Sequence, residues 1–232
     1  LICSGVDLAP TATGIVTIVL TYTGDCLNFG LASEKARSAF HSEGKGRDIE
    51  MVNVGDDVSV GRSKGGLVGR RGLTGAAFTA KVLGAASEKG DDVQKIAHLG
   101  RTMVKNFVTV GSSLDHCHVP GRSTDPKERG ALSQSAVEIG MGIHNEPGAK
   151  HIENKPSGED LIKEMLELLL REDDPERSFV KFNKDDDPVL IINNLGGMSS
   201  IELGAIAAEA RTQIERDWNL RLSRVYCGTY VT

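Results

Sequence analysis

The sequence predicts an α/β fold in two lobes, with mainly parallel sheets flanked by helices. Strand-like and helix-like segments alternate along most of the 232 residues. Two continuous β-branched runs, at residues 14–20 and 189–192, are typical of parallel strands buried on both faces. The composition agrees, with 39% hydrophobic residues, only 4% aromatic ones and 27 glycines that separate the segments. Such a chain has enough apolar surface to build a substantial core.

The first half of the chain predicts three strands and three helices. The segment Thr-Tyr-Thr-Gly-Asp after the first strand predicts a tight loop, with the helix starting at Leu27. A loop rich in glycine and arginine separates the second strand from a pair of helices. The predicted strands are 14–20, 48–54 and 107–110, and the predicted helices are 27–40, 73–89 and 91–106.

The second half begins with a Pro-, Gly- and charge-rich stretch, 119–134, which predicts a long surface loop or the seam between two lobes. Strands are predicted at 137–143 and 189–192. Ser157 is placed to cap a helix whose leucines follow at helical spacing, and Ser199 or Ser200 to cap another at 201–216. We therefore predict two lobes, 1–109 and 110–232.

Charge, cysteine content and hydropathy exclude several functions. A net charge of -5 and a pI near 5.7 give no basic field, which argues against nucleic-acid or anionic-membrane binding. The four cysteines have no paired spacing, so free thiols in a reducing compartment are expected. The apolar run 14–20 is too short to cross a bilayer, and no cleavage signal precedes it. A cytoplasmic protein is predicted.

Three loops that follow predicted strands combine polar side chains with glycines, as binding loops in α/β folds do. Each also has a structural interpretation: Asp25 as a helix cap, His144 as a turn residue, and Gly196-Gly197 as the geometry of a strand-to-helix turn. Either alternative remains open for any one loop taken alone. The loops are residues 22–29, 142–148 and 193–199.

Together and in this order, the motifs Tyr-Thr-Gly-Asp, Gly-Ile-His-x-Glu-Pro-Gly and Asn-Asn-Leu-Gly resemble the substrate-binding domain of the dihydroxyacetone (glycerone) kinase family. Further matching segments are Val-Gly-Asp-Asp-Val at 54–58, Arg-Arg-Gly-Leu-Thr-Gly at 70–75 and Leu-Gly-Arg at 99–101. The resemblance spans roughly residues 14–232 and is greatest to the single-chain fungal or animal type. It implies the two-lobed α/β fold of that domain.

The resemblance implies that His144 adds to the ketone of dihydroxyacetone and holds it as a covalent hemiaminal. A neutral imidazole can attack a carbonyl but finds no electrophile in glycerol, so bonding selects ketone over alcohol. By the same resemblance Asp25 is the acid/base group at the phosphate-accepting hydroxyl, and Thr23, Gly24 and Gly142 contact the substrate. ATP and Mg²⁺ are expected on a helical nucleotide-binding domain outside this chain. Glyceraldehyde as a second acceptor and a homodimer are further implications.

Two departures from the family pattern stand out. The family carries Lys-Asn before Tyr-Thr-Gly-Asp, whereas this chain has Leu20-Thr21, and the family's upstream Gly-Gly-Gly-Ser-Gly-His-Glu-Pro loop has no counterpart. There is also no initiator Met, and residues 225–232 end in a strand-like segment. The fold is therefore expected to be incomplete at both ends, and the fragment alone inactive. The alternative hypothesis is a non-catalytic remnant or carbonyl-binding protein without phosphoryl transfer.

Three further clusters have structural interpretations that we favour. His116 and His118 share a face of an extended segment but lack a fourth ligand, so we predict no metal site there. Asp56-Asp57 suits a loop or helix terminus better than Mg²⁺. The basic cluster of Arg62, Lys64, Arg70 and Arg71 is more typical of a solvated loop than of a phosphate site.

Overall fold

The computed structural model describes the chain except residues 10–12, 43, 45, 116–120, 122–131 and 145. It divides into two compact units, each built from two stretches of chain. The first unit comprises Leu1–Asp56 and Ser63–Phe107, and the second comprises Asp57–Arg62 and Val108–Thr232. The α/β class is confirmed. The predicted lobes at 1–109 and 110–232 stay a prediction.

The first unit is built on a parallel pair of strands, β1 (Gly14–Leu20) and β2 (Asp48–Val54). Alternate residues of the pair face two separate apolar clusters, because successive side chains of a strand point to opposite faces. Val52 packs in a cluster with Leu83 and Ile96, whereas Ile49 packs in one with Phe40. Both faces are therefore covered by helices, as the β-branched sequence predicts.

Four helices cover this pair of strands. Gly100 lies against Val52, where a methyl group would approach the valine side chain to 2.9 Å, so helix and sheet pack closely. The side chain of Asp92 accepts a hydrogen bond from the backbone N–H of Lys95 and caps the fourth helix. The helices are α1 (Ile2–Asp7), α2 (Thr23–Ser42), α3 (Gly75–Glu88) and α4 (Val93–Val104).

The second unit contains a three-stranded antiparallel sheet and a separate parallel pair of strands. The strands of the antiparallel sheet are only two or three residues long, and the longer strands of both units pair in parallel, so the predicted mainly parallel arrangement is confirmed. The antiparallel strands are β3 (Ser112–Ser113), β4 (Val137–Ile139) and β5 (Lys150–Ile152), and the parallel ones are β6 (Val189–Asn193) and β7 (Arg224–Gly228).

Two helices, α5 (Gly158–Leu170) and α6 (Ser200–Asp217), pack with the parallel pair of the second unit. Ser157 caps α5, as predicted. Ser199 rather than Ser200 caps α6, and Glu202 completes a reciprocal capping box. The core joins the apolar faces of both helices to the strand residues Leu190 and Ile192.

Two predicted boundaries differ from the structure by four residues, and one predicted strand is wrong. Helix α2 begins at Thr23 rather than Leu27, so Thr-Gly-Asp is its first turn. The strand predicted at 107–110 is reduced to one isolated bridge, between Thr109 and Asp57. The strand predicted at 137–143 ends at Ile139, since Gly140 turns the backbone with a φ of +84°.

No helix within the described ranges is long and apolar enough to cross a membrane. Cys3, Cys26 and Cys227 are free thiols, whereas Cys117 lies outside the described residues.

Candidate functional site

The first candidate loop is the junction between β1 and α2. The N–H and the hydroxyl of Thr21 both donate to the carbonyl of Val54, which ties the end of β1 to the end of β2. Thr23, Gly24 and Asp25 are exposed and form the first turn of α2. A carboxylate here lies at the positive end of the helix dipole. The backbone thus presents Asp25 to solvent at the start of α2.

Cys26 follows Asp25 and is the nearest thiol to this turn. Burial raises the pKa of Cys26, and the negative charge of Asp25 raises it further. A thiol with a raised pKa carries little thiolate and is a poor nucleophile. Cys26 is therefore not a candidate nucleophile of this turn.

A second segment of the first unit crosses the ends of β1 and β2. At Gly72 a methyl group would lie 2.5 Å from the carbonyl oxygen of Val54, and at Gly55 one would lie 2.7 Å from that of Arg70. Only glycine allows so close an approach of two backbones. The segment that leads into α3 is therefore held against the strand ends.

Asp56 holds the start of α3. Its fully buried carboxylate accepts hydrogen bonds from the backbone N–H groups of Leu73 at 2.7 Å and Gly75 at 2.9 Å. Both oxygens are thus engaged by otherwise unsatisfied amides of a helix terminus. The structural interpretation of Asp56 is confirmed.

The second candidate loop, residues 142–148, carries His144 in the second unit. We call the slightly longer segment 140–148 the His144 loop. The imidazole is largely exposed, and its Nδ1 lies 3.0 Å from Oε1 of Glu146. The backbone N–H of His144 donates to the other oxygen, Oε2, also at 3.0 Å. A further hydrogen bond, from the N–H of Gly142 to the carbonyl of Glu146, closes the turn. One carboxylate therefore contacts both the ring and the backbone of His144.

The pKa of Glu146 reflects this arrangement. Burial by itself raises it, but the hydrogen bonds from the ring and backbone of His144 outweigh burial, so the pKa lies below its ordinary value. The carboxylate is accordingly ionised at neutral pH.

Both ends of the His144 loop are fixed to buried groups. A methyl group on Gly140 would lie 2.2 Å from the Cβ of Ser59. The hydroxyl of Ser59 lies between Gly140 O, at 3.1 Å, and a buried Asp57 oxygen, at 2.5 Å. At the other end, the N–H of Gly148 donates to the largely buried carboxylate of Glu138. The loop that presents His144 is therefore anchored on both sides.

In the third candidate loop, after β6, the side-chain amides of Asn193 and Asn194 form hydrogen bonds with backbone groups of the second unit. The side-chain oxygen of Asn194 accepts from the N–H groups of Gly196 and Met198, and its nitrogen donates to Met198 O. The Asn193 amide binds the backbone of Tyr230 and Val231 in the same way. These contacts support the interpretation of this loop as strand-to-helix geometry.

The structure describes one residue of the basic cluster in detail but not the two histidines of the His116–His118 cluster. Arg62 donates to the carbonyls of Pro175 and Ser178 and lies 4.3 Å from the centroid of the Phe179 ring, so it holds a loop in place. His116 and His118 lie outside the described residues. Within the described part of the chain, no three His, Cys, Asp or Glu side chains are grouped to hold a metal ion.

Sequence reasoning had assigned no role to Glu146 or Ser59. Glu146 lies inside the recognised motif, and its spacing of two residues from His144 was the available signal. Ser59 is 81 residues from Gly140 along the chain and left no local signal. Asp25 and His144 are both exposed, each in its own unit. The roles suggested for them, and for Thr23, Gly24 and Gly142, stay predictions.

The fold and these loops are those of a known domain family. The Dak1 domain model matches residues 2–232, so the chain belongs to the Dak1 domain family, and the resemblance inferred from the motifs is confirmed.

Two curated fungal relatives are similar along the whole chain. The chain is 40% identical over 241 residues to a dihydroxyacetone kinase of Pichia angusta, covering 100% of this chain and 39% of that protein. It is 42% identical over 231 residues to dihydroxyacetone kinase 2 of Saccharomyces cerevisiae, covering 100% of this chain and 37% of that protein. The chain thus spans less than half the length of these relatives.

A solved structure of a dihydroxyacetone kinase is also similar to this chain. The crystal structure of the dihydroxyacetone kinase from C. freundii in complex with AMP-PNP and Mg²⁺ is 28% identical, with a TM-score of 0.74. The similarity covers 93% of this chain and 36% of that one.

Proposed function

We propose that this chain is the substrate-binding part of a dihydroxyacetone kinase. It captures dihydroxyacetone on His144 for phosphorylation by ATP to dihydroxyacetone phosphate. The single observation that carries the proposal is the exposed imidazole of His144, held by a carboxylate in an anchored loop of a Dak1 domain chain. The names of the fungal relatives support the choice of substrate.

The chemistry is addition of an imidazole nitrogen to a ketone. The nitrogen lone pair forms a bond to the carbonyl carbon, and the carbonyl π electrons pass to the oxygen, which takes up a proton. The ring loses one proton in exchange, so the adduct contains the whole ketone and no water is lost. Glycerol offers no electrophilic carbon, so the site discriminates by bond formation. Glyceraldehyde, which has a carbonyl, is the second acceptor that we propose.

Asp25 acts in this proposal as the acid/base group for the hydroxyl that receives phosphate. Its exposure in the first turn of α2 supports access to a ligand. Thr23 and Gly24 in the same turn, and Gly142 in the other loop, contact the substrate. A methyl group on Gly24 would meet nothing within 4 Å, which is consistent with open space for a ligand.

ATP and Mg²⁺ bind, in this proposal, on a part of the enzyme outside residues 1–232. In the described part of the chain, both oxygens of buried Asp56 accept backbone hydrogen bonds, and no three His, Cys, Asp or Glu side chains are grouped to hold a metal ion. We also propose that the protein acts as a homodimer.

Intact-protein mass spectrometry after incubation with dihydroxyacetone tests the capture step. We expect wild type to gain the mass of one whole ketone and His144→Ala to gain nothing. His151→Ala is the matched control, because His151 is also exposed and also paired with a glutamate two residues away. It should gain the adduct as wild type does. An unmodified wild type, or an adduct that survives His144→Ala, would contradict the proposal.

The role of Asp25 is tested in an enzyme with the length of the fungal relatives. Asp25→Asn should lower the phosphorylation rate by roughly 10²- to 10⁴-fold, the usual contribution of a general acid or base. Glu34→Gln, an exposed change further along the same helix, is the control and should leave the rate unchanged. Equal rates for Asp25→Asn and wild type would remove Asp25 from the mechanism.

A further inference from the structure

Residues 57–62, which we call the insert, contact two separate parts of the second unit. Ser59 lies against Gly140, the first residue of the His144 loop, and its hydroxyl lies 3.1 Å from the Gly140 carbonyl oxygen. Arg62 contacts a turn at residues 174–179, which follows α5. Only two residues separate Ser59 from Arg62, so the insert connects the start of the His144 loop to this turn.

Arg62 contacts the 174–179 turn through main-chain oxygens and one aromatic ring. Its Nε donates to the carbonyl of Pro175 at 3.2 Å, and its Nη2 donates to that of Ser178 at 2.7 Å. Its backbone N–H donates to the carbonyl of Glu176 at 3.1 Å. The guanidinium also lies 4.3 Å from the centroid of the Phe179 ring. A planar, forked cation can make all of these side-chain contacts at once, whereas a lysine ammonium is a point charge.

The 174–179 turn keeps its shape through hydrogen bonds of its own. Oδ1 of Asp174 accepts from the backbone N–H groups of Glu176 at 2.8 Å and Arg177 at 3.2 Å, and the N–H of Ser178 donates to the Asp174 carbonyl at 3.0 Å. The insert approaches this turn closely, since a methyl group on Gly61 would lie 3.3 Å from the Cβ of Glu176. The turn is therefore a fixed support to which Arg62 attaches the insert.

We propose that Arg62 is a positioning residue for the His144 loop: it holds the insert against the 174–179 turn and thereby keeps Ser59 in place at Gly140. This role applies to the backbone of the loop, and it rests on the proposed function only in its effect on dihydroxyacetone. Loss of the Arg62 side chain leaves the other contacts of the insert intact but lets the start of the loop move.

The test is amide hydrogen exchange in the full 232-residue chain. The N–H groups of Gly140 and Gly142 report on the His144 loop, because both form backbone hydrogen bonds there. Arg62→Ala should speed exchange at both amides by about tenfold, since two hydrogen bonds and a ring contact are lost. Exchange at Leu203, in the first turn of α6, should stay unchanged. Equal acceleration at all three amides would overturn the proposal, because it would show a general loss of stability.

Two further variants test whether the forked guanidinium is what matters. Arg62→Lys keeps the positive charge but cannot span two carbonyls and a ring, so loop exchange should be nearly as fast as in Arg62→Ala. Arg171→Ala is the matched control, because Arg171 is also an exposed arginine of this unit but pairs with Asp173, at 2.6 Å, and not with the insert. It should leave loop exchange at the wild-type rate. Wild-type exchange in Arg62→Lys, or accelerated loop exchange in Arg171→Ala, would overturn the proposal.

A double-mutant cycle shows whether Arg62 acts through Ser59. Ser59→Gly removes both the hydroxyl and the Cβ that meet Gly140. If the path runs through Ser59, adding Arg62→Ala to Ser59→Gly should change loop exchange by less than about twofold. Multiplied effects of the two changes would show that they are independent and would overturn the proposed path. Far-UV circular dichroism confirms that each variant is folded.

Adduct formation with dihydroxyacetone separates this proposal from the proposed function. Arg62→Ala should slow the adduct by roughly tenfold or more, because the loop that carries His144 is displaced. If loop exchange responds as expected but wild type forms no adduct, the positioning of the loop stands and the capture function fails. If the adduct forms on His144 and neither its rate nor loop exchange responds to Arg62→Ala, the function stands and the positioning role fails.

Discussion

Ser59 and Gly140 lie so close together that a single methyl group on Gly140 would come within 2.2 Å of the Ser59 Cβ. This contact fixes the point where β4 ends and the His144 loop begins. The backbone of Gly140 adds a second constraint, because its φ of +84° is a conformation that residues with a side chain rarely adopt. Both the short contact and the positive φ therefore favour glycine at position 140.

Gly140→Ala should therefore destabilise the second unit by about 2 kcal/mol or more, the combined effect of a positive φ and a side-chain clash. The free energy of unfolding in urea measures it. Gly84→Ala is the matched control: Gly84 lies inside α3, has open space around it and has no positive φ. That change should stabilise the protein by about 0.5–1 kcal/mol. Equal effects would show that the Ser59 contact is not tight.

Asp56→Ala should release the start of α3. Two hydrogen bonds to a buried carboxylate are lost and two amides are left unsatisfied, so we expect a destabilisation of roughly 2–4 kcal/mol. Asp92→Ala removes the exposed cap of α4 and should lower the free energy of unfolding by only about 1 kcal/mol. Hydrogen exchange at Leu73 and Gly75 locates the effect. A smaller loss for Asp56→Ala than for Asp92→Ala would contradict this account.

Acid should weaken the His144 loop through Glu146. Its pKa is lower in the folded protein than in the unfolded chain, so the unfolded chain binds the proton more readily. The stabilisation is complete above the unfolded pKa and is lost as the pH falls through the lower, folded pKa. The stability difference between wild type and Glu146→Gln should therefore shrink between about pH 5 and pH 3. Urea unfolding across that range measures it, and a constant difference would refute the cause.

Asn193→Ala should loosen the last residues of the second unit. Its amide holds the N–H groups of Tyr230 and Val231 at 2.8 and 2.9 Å. Loss of these bonds should speed hydrogen exchange at both amides by about tenfold or more. Asn194→Ala is the reciprocal control, since it should speed exchange at Gly196 and Met198 but not at residues 230 and 231. Identical exchange patterns in the two variants would refute the division of roles.

The sequence predicted the features that depend on local patterns. The two β-branched runs predicted β1 and β6, and the strand predicted at 48–54 is β2. Helical spacing predicted α3, α4, α5 and α6 with errors of a few residues at their ends. The start of α2 was missed because the first turn of a helix has few internal hydrogen bonds and little distinguishing pattern. The short strands β3 and β5 exist through pairing with β4, which local sequence does not encode.

The candidate site likewise contains residues that local motifs predict and contacts that only the fold creates. The motifs predicted His144 and Asp25 as site residues, and both roles stay predictions. The contact of Glu146 with the Nδ1 of His144 depends on how the turn folds, and the anchor at Ser59 depends on a residue far away in sequence. The side-chain amides of Asn193 and Asn194 were candidate binding groups, but in the structure they form hydrogen bonds with backbone atoms.

The second unit takes its residues 57–62 from a stretch of chain whose neighbours on both sides belong to the first. Ser59 is one of the residues in this insert, so the segment that supports the His144 loop is synthesised before that loop. A fragment cut at residue 108 would separate the loop from its support, although it would keep every residue of the Gly-Ile-His motif. Domain-swap or deletion experiments on this protein must therefore carry residues 57–62 with the second unit, by circular permutation or by co-expression of two pieces.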